Sequence, residues 1–445
     1  MYKKALAGFL GIALTMLLAT PAVADSWRDD QYWLDDYGFT KAWDTTMGDG
    51  VTIGVIDTGI DSSHQDLTGQ VAGGFDASGT GETNGTTPMG PDPNHGTMVA
   101  SLIAGHGHGD LPELETDDEE DDDDKDDDDA EDDAAAEEPE REPIEEFGTD
   151  GIIGTAPEVE LLSVSVLLDD SATDVPSVDQ QIADGVVWLV DQGVDVINIS
   201  LASSAQDWPE SWDNAFLHAE ENDVVVVVAA GNRASGSNVV GAPATIPGVL
   251  TVAGLDEDGT ASWDASTEGI TIGVAAPADP LVGALPGDEY AHWSGTSGAA
   301  PLVSGMAALI RAENPSMPAH QVINRILETA EDTGGAGEDN LYGRGIIDAH
   351  AALTADVASV DSNPMGSIAD WITLHRRGEV QQPDEPEETR EVAGPVDYPT
   401  ELPVAAEPTE EPVIWQPIVV TGFGILLLVA VLAFIFSARK RADKH

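Results

Sequence analysis

The chain has 445 residues, with 83 Asp and Glu against 17 Lys and Arg and a formal net charge of −66 at pH 7. A charge of that sign and size excludes a nucleic-acid partner held through its phosphates. The absence of cysteine excludes disulfides, thiolate metal sites and cysteine nucleophiles.

Lys3 and Lys4 precede an apolar run from Ala5 to Ala19, and Ala22-Val23-Ala24 is a small-residue cleavage site, so residues 1–24 read as a secretory signal peptide. The folded body is expected over residues 25–355. Its first strand is Val51 to Ile56, which ends on Asp57. Asn94 to Gly105 then sets Val99, Leu102 and Ile103 at helical spacing, with His95 at the start. From Asp110 to Glu146 the chain holds 24 acidic side chains against Lys125 and Arg141. Such a block repels itself and lacks apolar anchors, so residues 106–150 are expected to form a disordered acidic insertion. It carries no EF-hand ligand spacing, and a structural calcium site is unsupported.

Past the insertion come a strand from Val159 to Val166 and an amphipathic helix marked by Ile182, Val186, Leu189 and Val190. A strand from Val194 to Ile199, a helical stretch from Asn214 to Glu221 and strands at Val224 to Ala229 and Val249 to Ala253 follow. The last helix of the body runs from about Ser297 to Glu313. Near-continuous apolar strands alternating with helices predict an α/β fold, a mostly parallel sheet covered on both faces. Ligands bind such sheets at the carboxyl ends of strands, where Asp57 and the turn Ala230-Gly231-Asn232 lie.

Residues 356–416 are expected to be an acidic, Pro-rich linker; from Pro383 to Pro412 alone there are seven prolines and ten acidic residues. Residues 417–438 hold the apolar run from Ile418 to Phe436, whose rise as a helix is about 28 Å, close to the hydrocarbon core of a bilayer. Arg439, Lys440, Arg441 and Lys444 follow, so residues 439–445 read as a cytoplasmic tail and the bulk of the protein as extracellular, held in the cell membrane by one span.

The chemistry gathers at four positions. Acyl transfer by serine needs a base for the hydroxyl proton, a carboxylate to orient that base, and donors for the oxyanion. Asp57 stands in Ile56-Asp57-Thr58-Gly59, His95 in Asn94-His95-Gly96-Thr97, and Ser297 in Gly295-Thr296-Ser297-Gly298. Asn232, after Ala230-Gly231, has an amide able to donate. Ser297 also suits the cap of the helix that follows it.

The blocks IGVIDTGI, NHGTMVASLIAG, AAGN and SGTSGAAPLVSGMAALI resemble, in this order, the Asp, His, oxyanion-Asn and Ser blocks of the subtilisin-like serine proteases. That resemblance implies a subtilisin-like three-layer fold, Ser297 as nucleophile, His95 as base, Asp57 as its partner and Asn232 as oxyanion donor. It also implies substrate pairing along Ser200-Leu201-Ala202, protein or peptide substrates, and catalysis without a metal or organic cofactor. The short segment ahead of Val51, the long insertion, the Pro-rich linker and the final apolar run are similar to the mycosins, membrane-anchored subtilases of type VII secretion systems. Membership there implies processing of exported proteins beside that secretion complex. The missing cysteines depart from the mycosin pattern, and Gly298 departs from the larger residue usual in subtilases, leaving space beside the nucleophile.

Other candidates read as structural. His64 belongs to the aspartate block without being the base, His106 and His108 lie in a solvated Gly-His-Gly-His-Gly turn, Asp256 and Asp258 form a turn between strands, and His292 is redundant beside His95. An α/β-hydrolase is disfavoured because its triad runs Ser, acid, His. A free-standing surface protease and an inactive scaffold are the remaining alternatives.

Overall fold

The computed structural model describes residues 26–376, apart from 82, 110–146, 149 and 170–171. The chain divides after residue 378, and its second unit, 379–445, lies outside the described residues, as do the expected signal peptide, membrane span and basic tail. Among the described residues, no helix is long and apolar enough to cross a membrane.

In chain order the strands are β1 (Thr52–Asp57), β2 (Val71–Asp76), β3 (His106–His108), β4 (Asp150–Ile153), β5 (Glu160–Ser165), β6 (Val196–Ile199), β7 (Val225–Ala229), β8 (Leu250–Asp256), β9 (Ile272–Asp279), β10 (Leu281–Leu285) and β11 (Glu289–Trp293). Seven of them form one sheet in the order β2-β5-β1-β6-β7-β8-β9, with every neighbouring pair parallel. β7 is buried along its whole length, which requires cover on both faces of the sheet. Helices supply it: α1 (His95–Ala104) packs with α4 (Thr296–Glu313), while α2 (Val178–Gln192) packs with α3 (Glu210–Glu221). Ser177 caps α2 by accepting the Gln180 N–H at 3.2 Å, and Gly193 ends it in the left-handed conformation. The chain fills one side of β1 with β5 and β2 before crossing to β6, so the order reverses at β1. The carboxyl end beside such a reversal is the usual binding crevice of open α/β sheets.

Two boundaries differ from the sequence expectation. β3 and β4 pair antiparallel, so ordered backbone enters both ends of the segment expected to be a disordered insertion over 106–150. The pairing is anchored from outside: Arg28 donates to the carbonyls of Gly148, Asp150 and Gly151, and Gln31 bonds both the N–H and the C=O of Ile153. The bulk of that insertion, 110–146, lies outside the described residues.

The expected linker at 356–416 also begins too early. After α5 (Ala319–Thr329) and α6 (Ala349–Thr354), a further helix α7 (Ile368–His375) packs on α3. Ile368, Trp371 and Ile372 stand at i, i+3 and i+4, a helical spacing that precedes the proline-rich stretch. Glu220 accepts from Ser367 Oγ and the Ile368 N–H at 2.6 and 2.7 Å, Trp371 lies 4.5 Å from Trp208 between ring centroids, and Arg376 Nε donates to Asp213 at 2.8 Å. Arg376→Ala is expected to leave the buried Asp213 carboxylate short of a donor and to cost about 1–3 kcal/mol. Urea unfolding should show this as a lower midpoint at an unchanged slope.

Candidate active site

Asp57, Ser200 and Asn232 stand at or just past the carboxyl ends of β1, β6 and β7, which are adjacent in the sheet. Asp57 is fully buried, and its Oδ1 accepts the Thr58 N–H at 2.7 Å. His95, the first residue of α1, turns Nδ1 onto this carboxylate at 2.8 Å to Oδ1 and 2.9 Å to Oδ2. An ionised carboxylate can only accept, so Nδ1 carries a proton, and in the neutral ring Nε2 keeps its lone pair. The first turn of α1 is held by Gly96, whose N–H donates to Thr58 Oγ1 at 3.1 Å; a Cβ there would lie 2.2 Å from the Gly59 carbonyl. Burial acts most strongly on the imidazole and lowers its pKa. The charge and hydrogen bond of Asp57, together with the charge of Asp92, outweigh it and hold His95 above the ordinary histidine value.

Ser297 occupies the second position of α4 and is not its cap. The cap is Gly295, at φ 144, a conformation open to glycine and strained for other residues. The helix start is instead satisfied from a distance: Asn232 Oδ1 accepts the Thr296 N–H at 2.9 Å and the Thr296 hydroxyl at 3.0 Å. Thr296 Oγ1 in turn accepts the Gly231 N–H at 2.9 Å. With Oδ1 engaged twice, the amide orientation of Asn232 is set and Nδ2 remains as its donor. Thr296 was absent from the sequence candidates, although it sits inside the Gly-Thr-Ser block that singled out Ser297.

The hydroxyl of Ser297 donates to the Ser200 carbonyl at 3.1 Å, and no hydrogen bond joins it to His95. Ser200 Oγ returns a bond to the Ser297 carbonyl at 2.9 Å and accepts from Asn198 Nδ2 at 3.0 Å, while Ser304 Oγ donates to Asn198 Oδ1 at 2.9 Å. This buried network locks the end of β6 to the first turns of α4. His95, Ser297, Asn232, Ser200, Leu201 and Ala202 all line one cleft of about 540 Å³.

The remaining candidates are elsewhere. His64 is fully buried; its Nδ1 accepts the Asp66 N–H at 3.1 Å, so Nε2 holds the proton and donates to the Glu289 carbonyl at 3.3 Å. His106 and His108 lie in β3 rather than in a solvated turn. His108 Nδ1 is 2.7 Å from Oδ1 of the buried Asp66, whose Oδ2 accepts from Tyr290 Oη at 2.8 Å, and this cluster holds the root of the insertion. His292 is exposed and pairs with Asp30 at 2.9 Å. Asp258 closes a turn by accepting the Thr260 N–H and hydroxyl, at 3.0 and 2.7 Å. Among the described residues, no group of three or more His, Asp or Glu side chains could hold a metal ion. The space expected beside Gly298 is filled by Leu281 and Trp293.

Residues 48–345 match the model of the subtilase family. A thermophilic serine proteinase of Bacillus sp. (strain AK1) is 33% identical over 315 residues, covering 70% of this chain and 64% of the relative, so the chain spans less than two thirds of that protein's own length. Mycosin-1 of Mycobacterium tuberculosis is 32% identical over 396 residues, covering 77% of each. The crystal structure of MycP1 from the ESX-1 type VII secretion system superposes with a TM-score of 0.57 at 29% identity, covering 76% of this chain and 89% of that one.

Proposed function

The chain belongs to the subtilase family, and on that premise we propose that it is an extracellular, membrane-anchored serine endopeptidase of the mycosin kind. The observation that carries this reading is the buried Asp57–His95 pair sharing one cleft with Ser297 and Asn232. Rotation about the Cα–Cβ bond of Ser297 moves Oγ from the Ser200 carbonyl toward Nε2 of His95, which takes the proton as Oγ attacks the scissile carbonyl. Asp57 keeps the ring in its Nδ1–H tautomer and stabilises the imidazolium. Nδ2 of Asn232 and the N–H of Ser297, which lies in a helical turn without an internal acceptor, donate to the oxyanion. His95 then protonates the leaving amine, and water opens the acyl-enzyme by the same route. An extended substrate pairs with the backbone of Ser200-Leu201-Ala202. None of these steps calls on a metal or an organic cofactor.

The likeness to mycosin-1 over 77% of both chains supports a role in processing exported proteins beside a type VII secretion complex. The apolar run from Ile418 to Phe436 and the basic residues after it support a single span with a cytoplasmic tail. A fluorophosphonate probe tests the chemistry: the adduct should form on the Ser297 peptide, and a folded protein that takes no label overturns the reading.

The electrostatics of the base give a second expectation. Asp92 is exposed, lines the cleft and helps to raise His95. The base works only when neutral, so a raised pKa sets the acid limb of kcat/KM at higher pH. Asp92→Asn should move that limb to lower pH, by less at high ionic strength than at low, because an exposed charge is screened. A pH profile recorded at two salt concentrations checks both parts.

A further inference from the structure

Position 298 is occupied in space although its residue has no side chain. A Cβ built on Gly298 would fall 2.2 Å from Leu281 Cδ1 and 3.2 Å from Cζ2 of Trp293. Leu281 and Trp293 stand directly opposite each other in the β10–β11 ladder. That hairpin therefore lies over the first turn of α4 because Gly298 leaves the turn bare. On its other side the indole of Trp293 meets the His95 ring edge to face, with centroids 5.8 Å apart and planes at 85°. Gly283 closes the slot from β10, where a Cβ would come 2.9 Å from Trp293 Nε1. The indole nitrogen is buried with no hydrogen-bond partner. A buried Trp N–H is normally bonded, so this ring is held in place by shape, at the expense of its donor.

We propose that Trp293 is a positioning residue for the base: its indole, admitted by Gly298, fixes the plane of the His95 imidazole between Asp57 and Ser297. The inference deepens the endopeptidase reading and rests on it. Asp57 holds only the Nδ1 side of the ring, which leaves the imidazole free to pivot about that bond and swing Nε2 away from the nucleophile. An aromatic wall at right angles to the ring removes the pivot. The benefit falls on turnover more than on substrate affinity, because misplacing a reacting group by about 1 Å costs on the order of 10²-fold in rate.

The test uses the full chain, with two readouts. In the proton NMR spectrum the Nδ1–H signal of the Asp57–His95 hydrogen bond should be sharp in the wild type and in Trp293→Phe, and lost to solvent exchange in Trp293→Leu. With a peptide substrate, Trp293→Leu should lower kcat by roughly 3- to 10-fold with KM nearly unchanged, and Trp293→Phe should recover most of the loss. Gly298→Ala should also lower kcat, because its Cβ would meet Leu281 first and the indole next and so displace the hairpin that carries Trp293. Wild-type kcat and a sharp signal in Trp293→Leu overturn the proposal. A wild type that takes no fluorophosphonate overturns the endopeptidase reading instead, and the NMR signal then still decides whether Trp293 holds the ring.

Discussion

Ser297→Ala is expected to lower the turnover of a peptide substrate by about 10⁶-fold while leaving the fold intact. The size follows the loss seen in subtilisin, a member of the same family, where removing the nucleophile costs about 2 × 10⁶ in kcat. The present geometry says why so little else should change. Oγ makes one hydrogen bond, to the Ser200 carbonyl at 3.1 Å, and the residue is partly exposed in the first turn of α4. Alanine is the best helix former, so stability should stay within about 0.5 kcal/mol of wild type. Residual activity of about 10³–10⁴ over the uncatalysed reaction should survive, because Asn232 and the backbone donors remain. Kinetics on enzyme calibrated by active-site titration of the wild type give the answer. A variant that keeps even one hundredth of wild-type kcat would remove Ser297 from the role of nucleophile.

Asn232→Ala should cost about 10²–10³ in kcat with little change in KM, the signature of a donor whose bond strengthens only as the oxyanion forms. It should also do something that Ser297→Ala does not. Asn232 Oδ1 receives the N–H and hydroxyl of Thr296, which is fully buried, so its removal strands two donors at the start of α4. That loss should destabilise the fold by about 1–3 kcal/mol. Asn232→Asp separates the two effects. It keeps the acceptor for Thr296 and loses the Nδ2 donor, so stability should be largely restored while kcat falls at least as far, with the new charge facing the oxyanion. If Asn232→Asp retained wild-type kcat, the oxyanion would have to be held elsewhere.

β1, β5, β6, β7 and β8 were readable in advance because each is largely apolar and buried; β2, with two glycines and a half-buried face, the short pair β3 and β4, β9 and the hairpin β10–β11 were not expected from the sequence. Asp57, His95, Asn232 and Ser297 stood out as candidates because their blocks, in this order, resemble those of the subtilisin-like proteases; taken singly, each block is short and plain. Their assembly was less readable. Asp57 and His95 are 38 positions apart, and Ser297 lies 97 beyond Ser200, its hydrogen-bond partner in this structure. Local periodicity carries no record of contacts at that range. The same reason hid His108, which looks like part of a solvated turn until β3 brings it to Asp66 and Tyr290.

What the sequence determined by itself was the class of the fold, through hydrophobic patterning, and the candidates for the reactive groups, through blocks that resemble those of the subtilisin-like proteases. Tertiary structure alone decided how those groups are held: Thr296 turning the amide of Asn232, Ser200 holding the hydroxyl of Ser297, α7 extending the body to Arg376, and Trp293 taking the space that Gly298 leaves. The physical reason is range. Propensity and patterning act between neighbours in the chain, whereas packing density and hydrogen-bond satisfaction act between neighbours in space, which exist only once the sheet has formed.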